Sequence, residues 1–239
     1  MKGGKVMGKT YAFSDLHGDE FLWNSISNFL KPDDVAYCLG DVCDRGPGGI
    51  KMMQEILKDK RIIYLKGNHE EMLLDAINTP NLDKYDLRII EKNGGLKTLQ
   101  DYLALPQNEQ EELKKQLKEL PIVTMWFNKN NVSRVLLSHA GMSMSEVFTW
   151  EQEKHFKNYL WGRHHIEEDA WNNLVFPNIY IVHGHTPVQT IKPGHGAEIL
   201  VTCNEHKYNI DLGTPTSKTA VLLDLETFEP IYFSHIDNN

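Results

Sequence analysis

The chain has 239 residues, 41% of them hydrophobic and 24% charged, which suits one large domain or one domain with an inserted element. Lysine and arginine total 25 and aspartate and glutamate total 33, so the net charge is −8. This acidic balance argues against a nucleic-acid-binding protein, which would need a basic surface. It also means that positive charge near the site must attract any anionic substrate.

The cysteines and the N-terminus bear on the compartment of the protein. Cys38, Cys43 and Cys203 match neither a disulfide framework nor a CxxC metal motif. The first nine residues precede no apolar stretch of signal-peptide length, and no run approaches the length of a membrane span. We therefore expect a cytoplasmic protein that does not act on membranes.

The first part of the chain alternates short strands with helices. Apolar runs that stop at polar turns predict strands, and apolar residues spaced three or four apart predict helices. The predicted strands are 10–13, 35–39 and 62–65, and the predicted helices are 19–30 and 50–57. This alternation is typical of α/β layers.

From about residue 71 to residue 121 the strand signals stop and helical spacing takes over. We interpret this stretch as a helical insertion in a single domain that comprises residues 1–239. Strand signals return at 122–127, 135–137, 178–182, 208–210, 220–225 and 231–233, with a hairpin turn at 128–131. We expect two sheets packed face to face with helices outside.

Five short polar segments follow predicted strands: 14–18, 40–46, 67–70, 138–141 and 183–186. Active sites of α/β proteins gather at such strand ends, where turns hold side chains on rigid elements. The segments supply oxygen and imidazole donors that suit two divalent cations, and one carboxylate, that of Asp41, can bridge both. The candidate metal ligands are Asp15, His17, Asp41, Asn68, His139 and His185.

Three further residues in these segments fit the hydrolysis of phosphate esters. The guanidinium group of Arg45 suits two phosphate oxygens at once. His69 can protonate a basic leaving group, and Asp44 is the candidate partner that holds its imidazole protonated and oriented. A hydroxide formed on the metal ions would attack phosphorus directly.

The five segments resemble those of the calcineurin-like metallophosphoesterase superfamily, in its phosphoprotein-phosphatase branch. The family words DxHG, GDxxDRG, GNHE, HA and GHTP stand here at 15–18, 40–46, 67–70, 139–140 and 184–187. The pattern is most similar to that of the bacteriophage-lambda type of Ser/Thr protein phosphatase. The resemblance implies an α/β (α+β) four-layer fold, in which helices flank a central β-sandwich of two mixed sheets.

The resemblance also implies how the metal ions are held. One ion would bind three of the candidate ligands and the second ion four, with Asp41 shared. Mn²⁺ is the ion we expect first, with Fe and Zn²⁺ as alternatives. The implied sets are Asp15, His17 and Asp41 for one ion, and Asp41, Asn68, His139 and His185 for the other.

The same resemblance implies the residues that act on the substrate. Arg45 and Arg163 would clamp the phosphate, with Asn68 beside them, and Asp44 and His69 would form the acid pair. Arg163 follows a glycine where the phage type has a bulkier polar residue.

Two other residues of these segments are assigned supporting roles. We expect Glu70 to cap or brace the helix that follows it, not to bind metal. His183 could bind metal by analogy with enzymes that carry Gly-His-x-His, but we favour packing near the site, because the corresponding position of the phage-type pattern is apolar.

Several functions are compatible with this pattern. The favoured one is a phosphomonoesterase that acts on phosphoserine or phosphothreonine in a phosphoprotein or phosphopeptide and releases inorganic phosphate. The alternative is a symmetrical bis(5'-nucleosyl)-tetraphosphatase. Pro47 and Gly48, which follow the Arg45 segment, resemble the pattern of that enzyme. Asp44 and Glu70 argue against it, since that family typically has Ala and Asp there, and a phosphoanhydride needs a general acid less than an alkoxide does.

Two further functions are disfavoured. The net charge of −8 disfavours hydrolysis of nucleic-acid phosphodiesters. A metal-binding scaffold without catalysis would be expected to have lost ligands or the acid histidine, and this sequence retains them all.

Overall fold

The computed structural model describes residues 8–128, 132–142, 152–163, 178–203 and 205–235. Within these ranges two five-stranded sheets carry helices on their outer faces. The strands are β1 (Thr10–Phe13), β2 (Val35–Cys38), β3 (Ile62–Tyr64), β4 (Val123–Phe127), β5 (Arg134–Ser138), β6 (Ile179–His183), β7 (Leu200–Thr202), β8 (Lys207–Asn209), β9 (Thr219–Asp224) and β10 (Pro230–Ser234). The helices are α1 (Glu20–Phe29), α2 (Gly49–Lys58), α3 (Asn68–Asn78), α4 (Lys84–Lys92), α5 (Leu96–Ala104), α6 (Gln107–Glu119), α7 (Gln152–Trp161), α8 (Val188–Ile191) and α9 (Thr214–Ser217).

Both sheets are mixed. The first has the order β10-β9-β1-β2-β3, in which β1, β2 and β3 are parallel, β9 is antiparallel to β1, and β10 is antiparallel to β9. The second has the order β4-β5-β6-β8-β7, with β5, β6 and β8 parallel and the two edge strands antiparallel. The carboxyl ends of several parallel strands therefore meet at one edge of each sheet, which is where ligands bind in such folds.

Alternation of side chains along the strands builds the layers. Tyr11 and Phe13 pack into the core under the helices of the first sheet, whereas Ala12 between them points to the core between the sheets. Leu137 of β5 enters that same inner core, and Leu136 enters a third core with α7. The order helix, sheet, sheet, helix confirms the predicted four-layer α/β fold.

Helices α3 to α6 occupy the stretch between β3 and β4. The prediction placed the first helical residue at 71, but α3 begins at Asn68, so His69 and Glu70 lie in its first turn. Gly67 is extended at φ −97°, and the Glu70 carboxylate accepts its backbone N–H at 2.8 Å, which starts the helix three residues earlier.

Four elements were not predicted from the sequence: β7, α7 and the four-residue helices α8 and α9. Strand β7 has only three residues and lies at a sheet edge, and α7 has mostly polar residues. Residues 129–131 of the predicted hairpin turn lie outside the described residues, although β4 and β5 pair antiparallel on either side. Within the described ranges, every helix is too short or too polar to cross a membrane.

Candidate metal centre and catalytic site

Backbone hydrogen bonds join four of the five polar segments in pairs, and His69 N in the fifth donates to Asp41 Oδ1 at 3.0 Å. Asp15 N donates to Gly40 O at 3.1 Å, and His17 N donates to Asp41 O at 3.0 Å, so the segments after β1 and β2 run side by side. Gly184 N donates to His139 O at 2.8 Å, which joins the segments after β5 and β6. Strand ends thus fix the relative positions of all these turns.

Strained backbone is concentrated in these turns. Non-glycine residues with positive φ are uncommon and cost energy, and they persist where surrounding structure enforces them. Six of the candidate site residues adopt this conformation, and close packing of the turns leaves them little alternative. They are Asp15 (φ 55°), His17 (46°), Asp41 (55°), Asp44 (68°), Arg45 (65°) and His185 (74°).

Two groups of potential metal ligands share one carboxylate. The donor atoms of His17, Asp41 and His69 lie within 4.8 Å of one another, and so do those of Asp41, His139 and His185. Asn68 joins the second group, because its Oδ1 lies 2.8 Å from both His139 Nε2 and His185 Nδ1. The position of Asp41 between the groups fits a carboxylate that bridges two ions.

Backbone carbonyls set the tautomers of two of these histidines. The Nδ1 atom of His17 lies 3.0 Å from Cys43 O, and that of His139 lies 2.9 Å from Leu39 O. A carbonyl only accepts, so each Nδ1 carries hydrogen and each ring directs its Nε2 atom to the pocket. This is how metal-binding histidines are commonly oriented.

The donor set therefore fits divalent metal ions. His139 Nε2 faces two oxygens, Asn68 Oδ1 at 2.8 Å and Asp41 Oδ1 at 3.3 Å. Because oxygens repel a nitrogen lone pair, this arrangement needs either a proton on Nε2 or a cation between the three atoms. The Nε2 atom of His185 is buried without a hydrogen-bond partner among the described residues. Imidazole and carboxylate donors with an amide oxygen are ligands for Mn²⁺, Fe or Zn²⁺.

The buried Asp41 carboxylate strongly affects the pKa values of the histidines around it. Burial opposes a charged imidazole, but the Asp41 carboxylate outweighs it and raises the pKa of His139 to about 10. Burial would raise the pKa of Asp41, yet His139 and His69 hold it well below its usual range. Burial lowers the pKa of His17 to about 3, which keeps its Nε2 available as a lone-pair donor.

Asp15 is the predicted ligand that joins neither group. Both of its carboxylate oxygens lie 3.2 Å from the backbone nitrogen of His185, which donates to them. Its Oδ2 lies against Gly184, where a Cβ would come within 2.0 Å. Burial, with the nearby Asp211 carboxylate, raises the pKa of Asp15 well above its usual value. A ligand role for Asp15 stays a prediction.

Asp44 and His69 form a buried pair. The Nδ1 atom of His69 donates to Asp44 Oδ2 at 2.6 Å, and both side chains are almost fully covered. Burial opposes the charged form of His69, but Asp41 and the hydrogen bond to Asp44 raise its pKa. The imidazole is thus oriented with its other nitrogen, Nε2, toward the pocket.

Arg45 spans the two imidazoles of the first group. Its Nη1 donates to His17 Nε2 at 2.9 Å and its Nη2 to His69 Nε2 at 3.2 Å. Its backbone N–H donates to Gly94 O at 2.9 Å, and the N–H of Asp44 donates to Thr98 Oγ1 at 3.1 Å. The helical stretch therefore positions the Asp44–Arg45 turn, a role that the sequence interpretation missed.

Arg163 lies at the opposite side of the second group and is exposed. Its Nη1 donates to Thr186 Oγ1 at 3.2 Å, which ties it to the segment after β6. Burial, His139 and the Arg163 charge together lower the pKa of His185 to about 3, with burial the largest cause. The ring of Trp161, at the end of α7, packs edge-on against His185 at 6.1 Å.

Asp211 is a buried acidic residue of the site that the sequence interpretation did not assign. It follows β8, and burial together with nearby carboxylates raises its pKa to about 6. The available signal was the one that identified the other segments, an aspartate in a turn after a strand. His183 packs as expected, with its ring 3.2 Å from where a Cβ on Gly141 would lie.

A sequence profile of the calcineurin-like phosphoesterases matches residues 8–213. The chain belongs to this family. This calcineurin-like phosphoesterase is therefore a hydrolase of a class that depends on two metal ions, and its histidine and aspartate groups can hold them.

Its curated relatives and structural neighbours carry different activities in their names. The asymmetrical bis(5'-nucleosyl)-tetraphosphatase PrpE of Oceanobacillus iheyensis is 28% identical over 163 residues, which cover 63% of this chain and 61% of that protein. The match thus spans about three fifths of that relative's length. A Ser/Thr protein phosphatase from Saccharomyces cerevisiae superposes with a TM-score of 0.63 at 15% identity, over 97% of this chain and 81% of that one. A proposed diadenosine tetraphosphatase gives a TM-score of 0.60 at 14% identity, over 98% and 96%.

Proposed function

We propose that this calcineurin-like phosphoesterase is a phosphomonoesterase that acts on phosphoserine or phosphothreonine in proteins. The observation that supports this choice is the buried Asp44–His69 pair, with its 2.6 Å hydrogen bond. An alkoxide leaving group is strongly basic and needs a proton, and a histidine held by a carboxylate can give one. Inorganic phosphate is then the product.

The metal ions, with Mn²⁺ as our first choice, supply the hydroxide nucleophile and neutralise phosphate oxygens when bound. The chain would hold one ion through Asp15, His17 and Asp41. It would hold the other through Asp41, Asn68, His139 and His185, so His69 stays outside the ligand set although its ring lies in the first group. Backbone carbonyls keep Nε2 of His17 and His139 directed at the pocket.

The substrate phosphate would lie between the arginines. The Arg45 fork offers two donors within reach of the metal groups, and Arg163 offers others from the far side. A phosphate on Arg45 brings its leaving oxygen next to His69 Nε2, which lies 3.2 Å from Arg45 Nη2. Arg45 would turn its Nη2 from His69 Nε2 to the bound phosphate, so that Nε2 can carry the proton, and Asp44 stabilises the charged imidazole through Nδ1.

The second candidate is asymmetrical hydrolysis of a dinucleoside tetraphosphate. The name of the Oceanobacillus iheyensis relative supports it, and it favours asymmetrical over the symmetrical cleavage considered from the sequence. This reaction would expel a nucleotide through a phosphate oxygen, which is weakly basic and needs a general acid less. The Asp44–His69 pair therefore favours the monoester.

A competition between substrates tests the choice. Mn²⁺-loaded protein is assayed for kcat/KM on a phosphoserine peptide and on diadenosine tetraphosphate, with nucleotide products separated by chromatography. The proposal predicts the larger kcat/KM for the peptide. A larger value for diadenosine tetraphosphate, with ATP and AMP as products, would replace it by the second candidate.

The Asp41→Asn variant is the control for contaminating phosphatases. It should lose turnover on both substrates, because the shared ligand is weakened. Turnover by wild-type protein that does not exceed that of this variant on any substrate would contradict both enzyme proposals and support a binding scaffold.

We also infer that the protein works in the cytoplasm with phosphoprotein partners. Its three cysteines are free and buried, which suits a reducing compartment.

A further inference from the structure

Two open clefts flank Arg45 and share it and Pro215 as lining residues. The smaller has a volume of about 320 Å³ and begins at His17 of the metal groups. We call it the aromatic cleft, and its other walls include Phe21, Lys218 and His235. A substrate phosphate on Arg45 therefore has room for a substituent that extends into this cleft.

An exposed pair of rings forms one wall of the aromatic cleft. The centroids of Phe21 and His235 lie 4.5 Å apart at 39°, and Phe21 is 45% exposed. His235 Nε2 contacts both carboxylate oxygens of Asp19, at 2.9 and 3.0 Å, which fixes the imidazole. Two aromatic rings that pack against each other and expose part of their surface form a platform on which a planar base can stack.

The acidic side chains of the aromatic cleft are already paired within the protein, so the charged group available to a ligand is a cation. Asp19 is engaged by His235 and by the N–H of Leu22, and Glu20 pairs with Lys51. Lys218 is exposed, and its ammonium group has no ion pair within the part of the chain that the structure describes. A hydrogen bond of 3.1 Å from His235 N to Lys218 O keeps this lysine beside the ring pair.

We propose that the aromatic cleft binds the nucleotide part of a polyphosphate substrate, with its base on Phe21 and His235 and a phosphate at Lys218. The inference rests on the proposed binding of the scissile phosphate by Arg45, and it gives the second candidate activity a specificity site. A phosphopeptide has neither a base nor a second phosphate beside the scissile one, so the cleft would serve the second candidate activity and contribute little to the favoured monoesterase reaction.

The test compares two variants of the cleft with two matched controls. Lys218→Ala and Phe21→Ala remove the cation and the platform. Lys118→Ala removes an exposed lysine of α6. Phe127→Ala removes a phenylalanine with the same 45% exposure, which lies at the end of β4 far from the site.

Each Mn²⁺-loaded protein is assayed on diadenosine tetraphosphate and on p-nitrophenyl phosphate. We expect both cleft variants to raise KM for the dinucleotide about tenfold with little change in kcat, and the controls to match wild type. Turnover of p-nitrophenyl phosphate should not change. The dissociation constant of a methylene-bridged, non-hydrolysable dinucleotide analogue should also rise about tenfold, which gives a readout independent of turnover.

Several results would overturn the proposal. These are an unchanged KM and dissociation constant in the cleft variants, equal losses on both substrates, or losses on a phosphopeptide alone. Absence of all turnover in wild type would refute the proposed function, whereas the analogue would still report on the cleft. Failure of wild type to bind the analogue would refute the cleft proposal itself.

Discussion

The carboxylate of Glu70 accepts the backbone N–H of Asp41 at 2.9 Å, so the first turn of α3 fixes the backbone of the proposed bridging ligand. The same carboxylate accepts the N–H groups of Val42 and Gly67, at 2.9 and 2.8 Å, and the hydroxyl of Tyr64 at 2.8 Å. Glu70 is fully buried. It therefore braces the metal-site turn from behind, which the sequence did not indicate, and it caps α3 through the N–H of Gly67, as expected from the sequence.

Replacing Glu70 by glutamine should destabilise the fold. The amide can accept at one oxygen only, and its NH2 group would face backbone donors, so buried hydrogen bonds to a charged group are lost. We expect the free energy of unfolding to fall by about 3 kcal/mol. Urea unfolding with an unchanged m-value measures this.

The matched control is Glu112→Gln on the exposed face of α6. It should change the free energy of unfolding by less than about 0.5 kcal/mol. Equal stability of the two variants would show that the Glu70 contacts do not support the fold.

Removing the proposed proton donor should affect substrates according to their leaving groups. His69→Asn should keep the metal ions yet lose roughly 10²-fold or more in kcat on an alkyl phosphate, because an alkoxide must be protonated. The loss on p-nitrophenyl phosphate should be smaller, since p-nitrophenolate is a good leaving group without a proton. Steady-state kinetics on both substrates measure the difference.

The Asp44→Asn variant extends this comparison to the partner of His69. It weakens the 2.6 Å hydrogen bond that orients the imidazole, so the same substrate dependence should appear with a smaller loss. If either variant lost equal factors on both substrates, His69 would have no part in proton donation.

A methyl group at Gly94 should disturb the Asp44–Arg45 turn. Gly94 has φ +79°, and a Cβ there would lie 2.9 Å from both the Cγ and the backbone nitrogen of Arg45. Gly94→Ala should therefore shift the guanidinium and lower kcat/KM about tenfold or more, because small misplacements of catalytic groups are costly. Kinetics on p-nitrophenyl phosphate measure this effect.

Gly194→Ala provides a control with the same backbone penalty. Gly194 has φ +84°, but nothing lies within 4 Å of a Cβ at this position. This variant should lose about 1–2 kcal/mol of stability and keep its activity. Equal activity losses in the two variants would mean that backbone strain, and not the contact with Arg45, is responsible.

The sequence predicted those parts of the molecule whose signals are local. The apolar run Tyr11-Ala12-Phe13 predicted β1, which the structure buries on both faces, and the polar residues after it indicated a functional turn. The five segments all had this form. Because sheet topology brings such strand ends together, a local signal was sufficient to place the segments at one site.

Non-local contacts were beyond the reach of the sequence. The hydrogen bond from Arg45 N to Gly94 O joins residues that are distant in the sequence, and no spacing rule connects them. Helix α7 is held where Ala140 N donates to Tyr159 O at 2.8 Å, a contact across two elements that its own polar sequence does not indicate. The direction of the Asp15 carboxylate likewise depends on a backbone N–H 170 residues away, that of His185.

The central claim is a pair of metal ions that share the Asp41 carboxylate. Equilibrium dialysis against Mn²⁺, followed by elemental analysis of the protein, tests it most directly. We expect two Mn²⁺ per wild-type chain, and for Asp41→Asn at least a tenfold weaker affinity with loss of one or both ions. Two Mn²⁺ bound to Asp41→Asn with wild-type affinity, or none bound to wild type, would contradict it.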